Sequence, residues 1–318
     1  MPPDALLSPT PHMRGVDQMY FFALDLTQTT IDGLLFGSTY ALVAIGFTLI
    51  WGLLRILNLA HGVTVMVGMF AGMLSASILG LPFYVGILIA MSSGAFIGFL
   101  IDRICYRPLR NAHELVPMIA TLGFWILIEE VFIKIYSHFW FRDYVPFANP
   151  FDGIGIDIGE IRLRTDYLVT LAVAALLVVA LYFLIYRTRL GLAMRMIAED
   201  HDIGNLMGVP VGKVLTIAFL LSAAYGGAAG YLLGMTANLA GPYAGSQAVV
   251  KGLFSMILGG AGSIPGAIVG GLTLGVLELQ SSFLFSFAYR DAIVMLALFI
   301  VLIVRPQGLA GKRMADRI

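Results

Sequence analysis

Five residues carry groups that could hold a solute, and they lie where helix packing alone does not require them. Asn58 and His61 place an amide and an imidazole between two apolar runs, and Lys251 places an ammonium inside another run. Gly260 and Gly262 lie in a glycine-rich turn that follows this third run and ends in Ser-Ile-Pro-Gly. Glycines permit sharp reversals that leave backbone amides exposed, and proline suits the first turn of the next helix. Together these groups could bind a small polar solute along a permeation path.

Two of these residues have structural alternatives. Asn58 could cap the helix that follows it, since an asparagine side chain commonly accepts a hydrogen bond from the first helical amides. An ammonium at the centre of a bilayer costs roughly 2.5–3.5 kcal/mol unless it meets carbonyls, a carboxylate or water. Lys251 could therefore tether its segment to Glu278 or to a partner subunit near the outer mouth. Alternatively, it could line a path and meet the carboxylate of a solute.

Other patterns argue against catalysis. The segment from Gly208 to Lys213 looks like a nucleotide-binding loop, but it has one residue too few between its glycines and no Ser or Thr after the lysine. No His/Cys cluster has metal-ligand spacing, and no Gly-x-Ser-x-Gly nucleophile motif occurs. The sequence therefore predicts no catalytic residues, no bound cofactor and no metal site in this chain.

The elements that must position the five residues are membrane helices. The chain has 318 residues, of which 59% are hydrophobic and 12% charged, whereas roughly 25% are charged in soluble domains. Stretches of about 20 apolar residues, enough to cross a bilayer as a helix, recur between short polar breaks. We predict an all-α integral membrane protein with about eight transmembrane helices. Residues 248–258 are too few to span and predict a short broken or re-entrant half-helix.

The predicted organisation is a single transmembrane domain between two tails. The N-terminal tail takes residues 1–26, with an interfacial turn at 19–22, the transmembrane domain takes 27–305, and the C-terminal tail takes 306–318. Glycines spaced four apart predict close packing between helices. The predicted membrane segments are 31–54, 63–79, 83–104, 115–136, 167–186, 214–235, 264–285 and 292–304.

Basic residues predict the orientation. With the N-terminus outside, twelve Lys and Arg fall on the cytoplasmic side and six outside, in the sense of the positive-inside rule. The N-terminus is then periplasmic and the C-terminus cytoplasmic, residues 187–213 form a cytoplasmic loop, and residues 137–166 form a periplasmic loop. Alternating apolar residues from Ile154 to Leu163 predict a small hairpin in the latter. Because 19 basic and 19 acidic residues balance, nucleic acid is not expected as a partner.

The cytoplasmic loop has the pattern of a short amphipathic helix. Leu192, Met196 and Glu199 fall near one face at helical spacing, with Ala193 and Ile197 beside them. So short a helix is not stable alone. An apolar stripe with a charged end therefore indicates a docking element for another protein, and a solvated connecting loop is the alternative.

At these stretches the sequence resembles the LivH-type permease subunits of ABC uptake systems for branched-chain and other hydrophobic amino acids. The resemblance extends in order from about residue 28 to 311. Its motifs are Gly37-Ser-Thr-Tyr-Ala-Leu42, Ile45-Gly46, Asn58-Leu-Ala-His-Gly62, Tyr106-Arg-Pro-Leu-Arg110, Arg189-Leu-Gly191, Arg195, Ala198-Glu-Asp200, Leu206-Met-Gly-Val209, the turn at 258–266 and Arg305-Pro-Gln-Gly308.

The resemblance implies a multi-pass permease in the lipid of a bacterial inner membrane. It implies four kinds of partner: a homologous second permease subunit, two cytoplasmic ATPases that bind the ATP, a periplasmic solute-binding protein, and membrane lipid. It also implies that the cytoplasmic loop contains the coupling helix. The candidate contacts to the ATPase are Gly191, Arg195, Ala198, Glu199, Asp200 and Gly208.

The sequence leaves three points open. The segment Ile203-Gly-Asn205 departs from the small alanine-like residues usual in the family, so the coupling helix is expected to end earlier here. Relatives of this type handle urea, amides and aromatic acids as well as branched-chain amino acids, so the substrate is not fixed. The alternative function is a secondary transporter driven by an ion gradient, for which Glu278 and Lys251 are the candidate intramembrane relay residues.

Overall fold

The computed structural model describes residues 11–110, 112–139, 144–200, 204 and 207–310, and most of them are helical. The helices are α1 (Pro11–Leu54), α2 (His61–Met73), α3 (Phe83–Ile101), α4 (Leu115–Phe139), α5 (Thr165–Arg187), α6 (Arg189–Glu199), α7 (Val211–Ala237), α8 (Ala244–Gly259), α9 (Ile264–Leu284) and α10 (Arg290–Val304). The short strands are β1 (Val145–Pro146), β2 (Gly155–Ile158), β3 (Ile161–Arg164) and β4 (Leu239–Ala240).

Eight helical segments of the described chain are long and apolar enough to cross a membrane, which confirms the predicted all-α membrane class. They lie close to the predicted segments, because the length of an apolar run fixes where a membrane helix can begin and end. The segments are Gln18–Leu54, His61–Ile78, Phe83–Leu109, Leu115–Tyr136, Thr165–Arg187, Val211–Ala237, Ile264–Leu284 and Phe287–Val304.

The bundle has two distinct ends. At one, which we call the α6 end, the last turns of α1 and α5 lie beside α6 and beside the turn between α8 and α9, around a shared cavity. At the other, the hairpin end, β2 and β3 form an antiparallel hairpin in which Ile156 pairs with Leu163. There β1 also pairs with β4, with Val145 opposite Ala240. The predicted hairpin is therefore confirmed.

Helix α8 is longer than predicted, yet it is not among the eight helical segments of the described chain that are long enough to cross a membrane. It has 16 residues, Ala244–Gly259, or about 24 Å at 1.5 Å per residue. It begins just after β4, at the hairpin end, and its last turn accepts hydrogen bonds from residues after α10 at the α6 end. The predicted half-helix is thus retained with longer bounds, and its first turn packs against α2, where a Cβ on Gly62 would overlap the Gly245 carbonyl. Its small and polar first turn hides its length from hydropathy, since protein rather than lipid surrounds it.

The N-terminal segment also differs from the prediction. Helix α1 is continuous from Pro11 to Leu54, so the predicted turn at 19–22 is wrong, and residues 1–10 lie outside the described chain. Polar residues in this part of α1 bond within the helix: the hydroxyls of Thr27 and Thr29 donate to carbonyls four residues back, at 2.8 and 2.6 Å. Gln28 then joins α1 to the hairpin through Arg162, donating to its carbonyl (2.8 Å) and accepting from its amide (3.0 Å).

The hairpin is held to α5 by an ion pair. The guanidinium of Arg164 lies 2.6 Å from the carboxylate of Asp166, which is buried in the first turn of α5. The hydrogen bond to this carboxylate raises the pKa of Arg164 above its ordinary value. Arg164 also donates to the Thr236 carbonyl at the end of α7, at 3.3 Å. The loop between α4 and α5 is thus fixed to two helices.

Glycines allow the helices to approach closely, as their spacing predicts. A Cβ on Gly33 would lie 2.7 Å from the Cα of Val276, so α1 and α9 touch backbone to backbone. A Cβ on Gly68 would overlap the backbone of Gly227, which joins α2 to α7 in the same manner. These contacts place small residues at the helix interfaces, as is usual in lipid.

Candidate functional site

Helix α6 is placed by a sharp turn at the end of α5. The hydroxyl of Thr188 accepts a hydrogen bond from the Gly191 amide at 3.1 Å, which caps the helix. A Cβ on residue 191 would overlap the carbonyl oxygen of Ile185, so only glycine allows α6 to pack this tightly on α5. Gly191, a predicted contact to the ATPase, is buried within this chain, where it positions the helix.

The predicted amphipathic helix is confirmed, but its buried side differs from the predicted stripe. Met194 and Ile197 are buried against the bundle. Leu192, which was assigned to the apolar stripe, is 52% exposed. The turn after α5 determines which side of α6 packs against the bundle. Helical spacing in the sequence does not predict that side. An exposed leucine among charged residues leaves an apolar contact available on the outer side of α6.

The other predicted coupling residues lie mostly on this outer side. Arg195, Ala198, Glu199 and Asp200 are all exposed. The Arg195 guanidinium lies 5.4 Å from the centre of the Tyr186 ring, which limits its freedom. Helix α6 ends at Glu199; of the segment 203–205, only Gly204 lies within the described chain. Gly208 follows in a turn with φ of 75°, a conformation that favours glycine.

Lys251 belongs to a buried ionic cluster between four helices. Its ammonium, on α8, is paired with the carboxylate of Glu278 on α9 and donates to the hydroxyl of Tyr40 on α1 at 3.1 Å. The guanidinium of Arg290, at the start of α10, lies 3.2 Å from the same carboxylate oxygen of Glu278. The carboxylate is 3% exposed. The arrangement matches the tether predicted between Lys251 and Glu278.

This cluster bears on two alternatives from the sequence analysis: an ion relay at Glu278, and contact between Lys251 and a substrate carboxylate. A buried carboxylate held by two cations has its charge compensated, so Glu278 is not poised as an isolated proton or ion relay. Lys251 is likewise occupied by Glu278 and Tyr40, and neither group extends into the cavity at the α6 end. A structural role for Lys251 is therefore favoured over contact with a substrate carboxylate. Sequence reasoning missed Tyr40 and Arg290 because they lie 211 and 39 residues from Lys251.

His61 and Asn58 are buried within this chain. The His61 ring lies 4.7 Å, centre to centre, from the ring of Phe47, and it abuts Gly46, where a Cβ would overlap it. The Val43 backbone is near the ring, yet neither ring nitrogen reaches a described partner at hydrogen-bond distance. Helix α2 is capped by Ala60 without any side-chain hydrogen bond. The proposed cap by Asn58 is therefore wrong.

Gly260 and Gly262 lie at the α6 end rather than deep in the bundle. Both have positive φ, 111° and 87°, so the reversal between α8 and α9 requires glycine. Ser263 then caps α9 by accepting from the Gly266 amide at 3.2 Å. Residues after α10 close over the turn: the amide of Leu309 donates to the carbonyl of Leu258 at 2.8 Å.

The structure does not bring the five candidate path residues together. His61 lies between α1, α2 and α7, whereas Lys251 lies between α1, α8 and α9. Of the five, Gly262 lines the cavity at the α6 end. The cavity has a volume of about 910 Å³ and includes Arg55 and Arg195. Arg55 is one of the twelve basic residues that the sequence analysis counts on the predicted cytoplasmic side. Its position directly after a long apolar run is the sequence signal that marks it as a helix-end residue.

A multi-pass helical bundle with a short helix across one end is the architecture of a membrane permease subunit, and comparison with known proteins identifies the family. Residues 29–303 match the family model described as the permease component of branched-chain amino acid transport systems. The chain belongs to this family. Its membership confirms the predicted permease over the alternative of an ion-gradient-driven transporter.

Relatives from bacteria and an archaeon match almost the whole chain. The high-affinity branched-chain amino acid transport system permease protein BraD of Pseudomonas aeruginosa is 32% identical, covering 92% of this chain and 97% of the relative. The corresponding protein LivH of Escherichia coli K12 is 33% identical, also covering 92% and 97%. The probable LivH permease of Methanocaldococcus jannaschii is 28% identical, covering 87% of this chain and 90% of the relative.

Proposed function

We propose that this chain is the membrane-spanning permease subunit of an ABC importer for branched-chain or related hydrophobic amino acids. Its partners are then a homologous second permease subunit, two ATPases and a periplasmic binding protein. The names of the relatives above support the substrate class. ATP is bound and hydrolysed by the ATPases, and α6 receives their movement. The observation that carries the proposal is the rigid mounting of α6 on α5 with an exposed apolar and charged outer side.

The mounting of α6 matters because a coupling element must transmit force. A helix of 11 residues would fray if it were isolated. Here Thr188 caps it, Gly191 lets it contact the α5 backbone, and Ile197 anchors it in the core. A push on its outer side therefore moves the ends of α5 and α1 rather than the helix alone. The outer side carries Leu192 as an apolar contact.

The orientation belongs to the same proposal: the α6 end faces the cytoplasm and the hairpin end faces the periplasm. The described basic residues support it. At the α6 end lie Arg55, Arg103, Arg107, Arg110, Arg187, Arg189, Arg195, Lys213 and Arg305, whereas Lys134, Arg162, Arg164 and Arg290 lie at the hairpin end. An excess of Lys and Arg marks the cytoplasmic side of membrane proteins.

The proposal is tested by ATP-driven uptake in proteoliposomes that contain the chain with its ATPases, second permease and binding protein. Arg195→Glu and Glu199→Lys should leave the chain folded and inserted but reduce ATPase association and abolish uptake of leucine. Glu114→Lys is the matched control, since Glu114 is exposed at the same end but lies at the start of α4. Normal uptake by the Arg195→Glu/Glu199→Lys double variant would contradict the coupling role.

A further inference from the structure

The cavity at the α6 end carries two cations and no counter-charge of its own. Arg55, just after α1, and Arg195, on α6, both line it. Neither guanidinium forms a salt bridge with a described residue. No Asp or Glu occurs among the described residues of the lining. Two like charges facing one cavity repel each other, and an anion placed between them would remove that repulsion.

One of the surrounding helix ends adds to this preference for an anion. The N-terminus of α9 borders the cavity through Ser263 and Ile264, and a helix N-terminus carries a partial positive charge. The carbonyls at the end of α8 are used elsewhere: those of Leu258 and Gly259 accept from the amides of Leu309 and Ala310, at 2.8 and 3.0 Å. The last turns of α1 and α5 also border the cavity with their partial negative charge, so the two guanidinium groups carry the preference for an anion.

The size and lining of the cavity indicate more than a small ion. Its volume of about 910 Å³ is at the upper end of the range for sites of drug-sized ligands. Leu49, Trp51 and Ile264 give it apolar walls. It lies where α5 and α10 end, and both helices expose apolar surface there, with Tyr186 46% and Val304 73% exposed. Exposed apolar surface of two spanning helices therefore lies beside the cavity.

We propose that this cavity binds the phosphate headgroup of an anionic phospholipid between Arg55 and Arg195. Basic pockets between transmembrane helices on the cytoplasmic side are suited to such headgroups. The glycerol and upper acyl chain lie against the apolar walls. Because Arg55 belongs to the bundle and Arg195 to α6, the headgroup bridges the two and stabilises the packing of α6 against the bundle. The inference rests on the proposed function only for the cytoplasmic location of this end.

The test is lipid retention by the purified full-length chain in native mass spectrometry, with phosphatidylglycerol and phosphatidylcholine offered together. We expect the parent to retain phosphatidylglycerol preferentially. Arg55→Gln should lower its affinity about five-fold, the equivalent of about 1 kcal/mol for one basic residue near an anionic lipid. Arg55→Lys should keep most of the affinity. Arg110→Gln, an exposed arginine at the same end but outside the cavity lining, should behave like the parent.

Three results would overturn the proposal: equal retention of the two lipids, equal affinity in Arg55→Gln and the parent, or full displacement of the lipid by inorganic phosphate, which would assign the site to a free anion. If Arg55→Gln does not fold, Arg195→Gln is measured in the same way, because the readout is binding rather than transport. The measurement needs no ATPase and no substrate. Its failure is therefore distinct from a failure of the proposed transport function.

Discussion

The ammonium of Lys251 and the carboxylate of Glu278 form an ion pair inside the helix bundle and join α8 to α9. Tyr40 extends the pair to α1 and Arg290 extends it to α10. A charge in this position is tolerated because each partner compensates the other. The cluster therefore joins α8, which has 16 residues, to three neighbouring helices.

Removing the lysine should destabilise the protein rather than change its substrate. Lys251→Met keeps the length of the side chain but leaves the buried carboxylate with Arg290 as its remaining cation. Breaking a buried pair by removing one partner costs about 3–5 kcal/mol, and we expect the lower part of this range because Arg290 stays. Thermal unfolding of the purified chain measures the loss. The double variant Lys251→Met/Glu278→Met should recover part of it. A single variant that melts and transports like the parent would exclude both proposed roles of Lys251.

A methyl group at position 191 should displace α6. Gly191→Ala places a Cβ against the carbonyl of Ile185, and overpacking of this kind costs about 1–3 kcal/mol. We expect a lower yield of folded protein. We also expect ATP-driven uptake to fall more than the binding of lipid or detergent, which does not need the ATPase. Gly123→Ala is the matched control, since nothing lies within 4 Å of the Cβ it would add. Equal uptake by the two variants would refute the positioning role of Gly191.

The two sides of α6 should respond differently to the same substitution. Leu192→Ser changes an exposed residue, so the unfolding temperature should stay unchanged while co-purification of the ATPase falls. Ile197→Ser removes a buried side chain that is 1% exposed, and loss of such a side chain costs about 2–5 kcal/mol. Unfolding curves and ATPase pull-downs on both variants separate docking from folding. An Ile197→Ser protein as stable as the parent would show that Ile197 does not anchor α6 against the bundle.

Cysteine labelling should establish the orientation of the two ends. Asp152→Cys lies at the hairpin end and Met207→Cys at the α6 end, and both positions are exposed. The native Cys105 is buried and provides little background. An impermeant thiol reagent should label Asp152→Cys in intact cells and label Met207→Cys only after the membrane is opened. The opposite pattern would reverse the orientation.

The sequence by itself determined the class, the approximate helix positions, the hairpin and the existence of α6. These follow from local patterns: the length of apolar runs, the alternation from Ile154 to Leu163, and the helical spacing after Thr188. Each such pattern acts over one or two turns or a few strand residues, so it can be predicted without knowing its neighbours. The family motifs likewise indicated a permease before any geometry was known.

Only the tertiary structure decided which groups meet. Tyr40 and Lys251 are 211 residues apart in the chain, yet they share a hydrogen bond. The buried side of α6 depends on its contact with Ile185, and the full length of α8 is seen only where neighbouring helices cover its polar first turn. Arg55 and Arg195 face one cavity because two helix ends meet there. Long-range packing sets all of these relationships, and hydropathy and local spacing do not specify it.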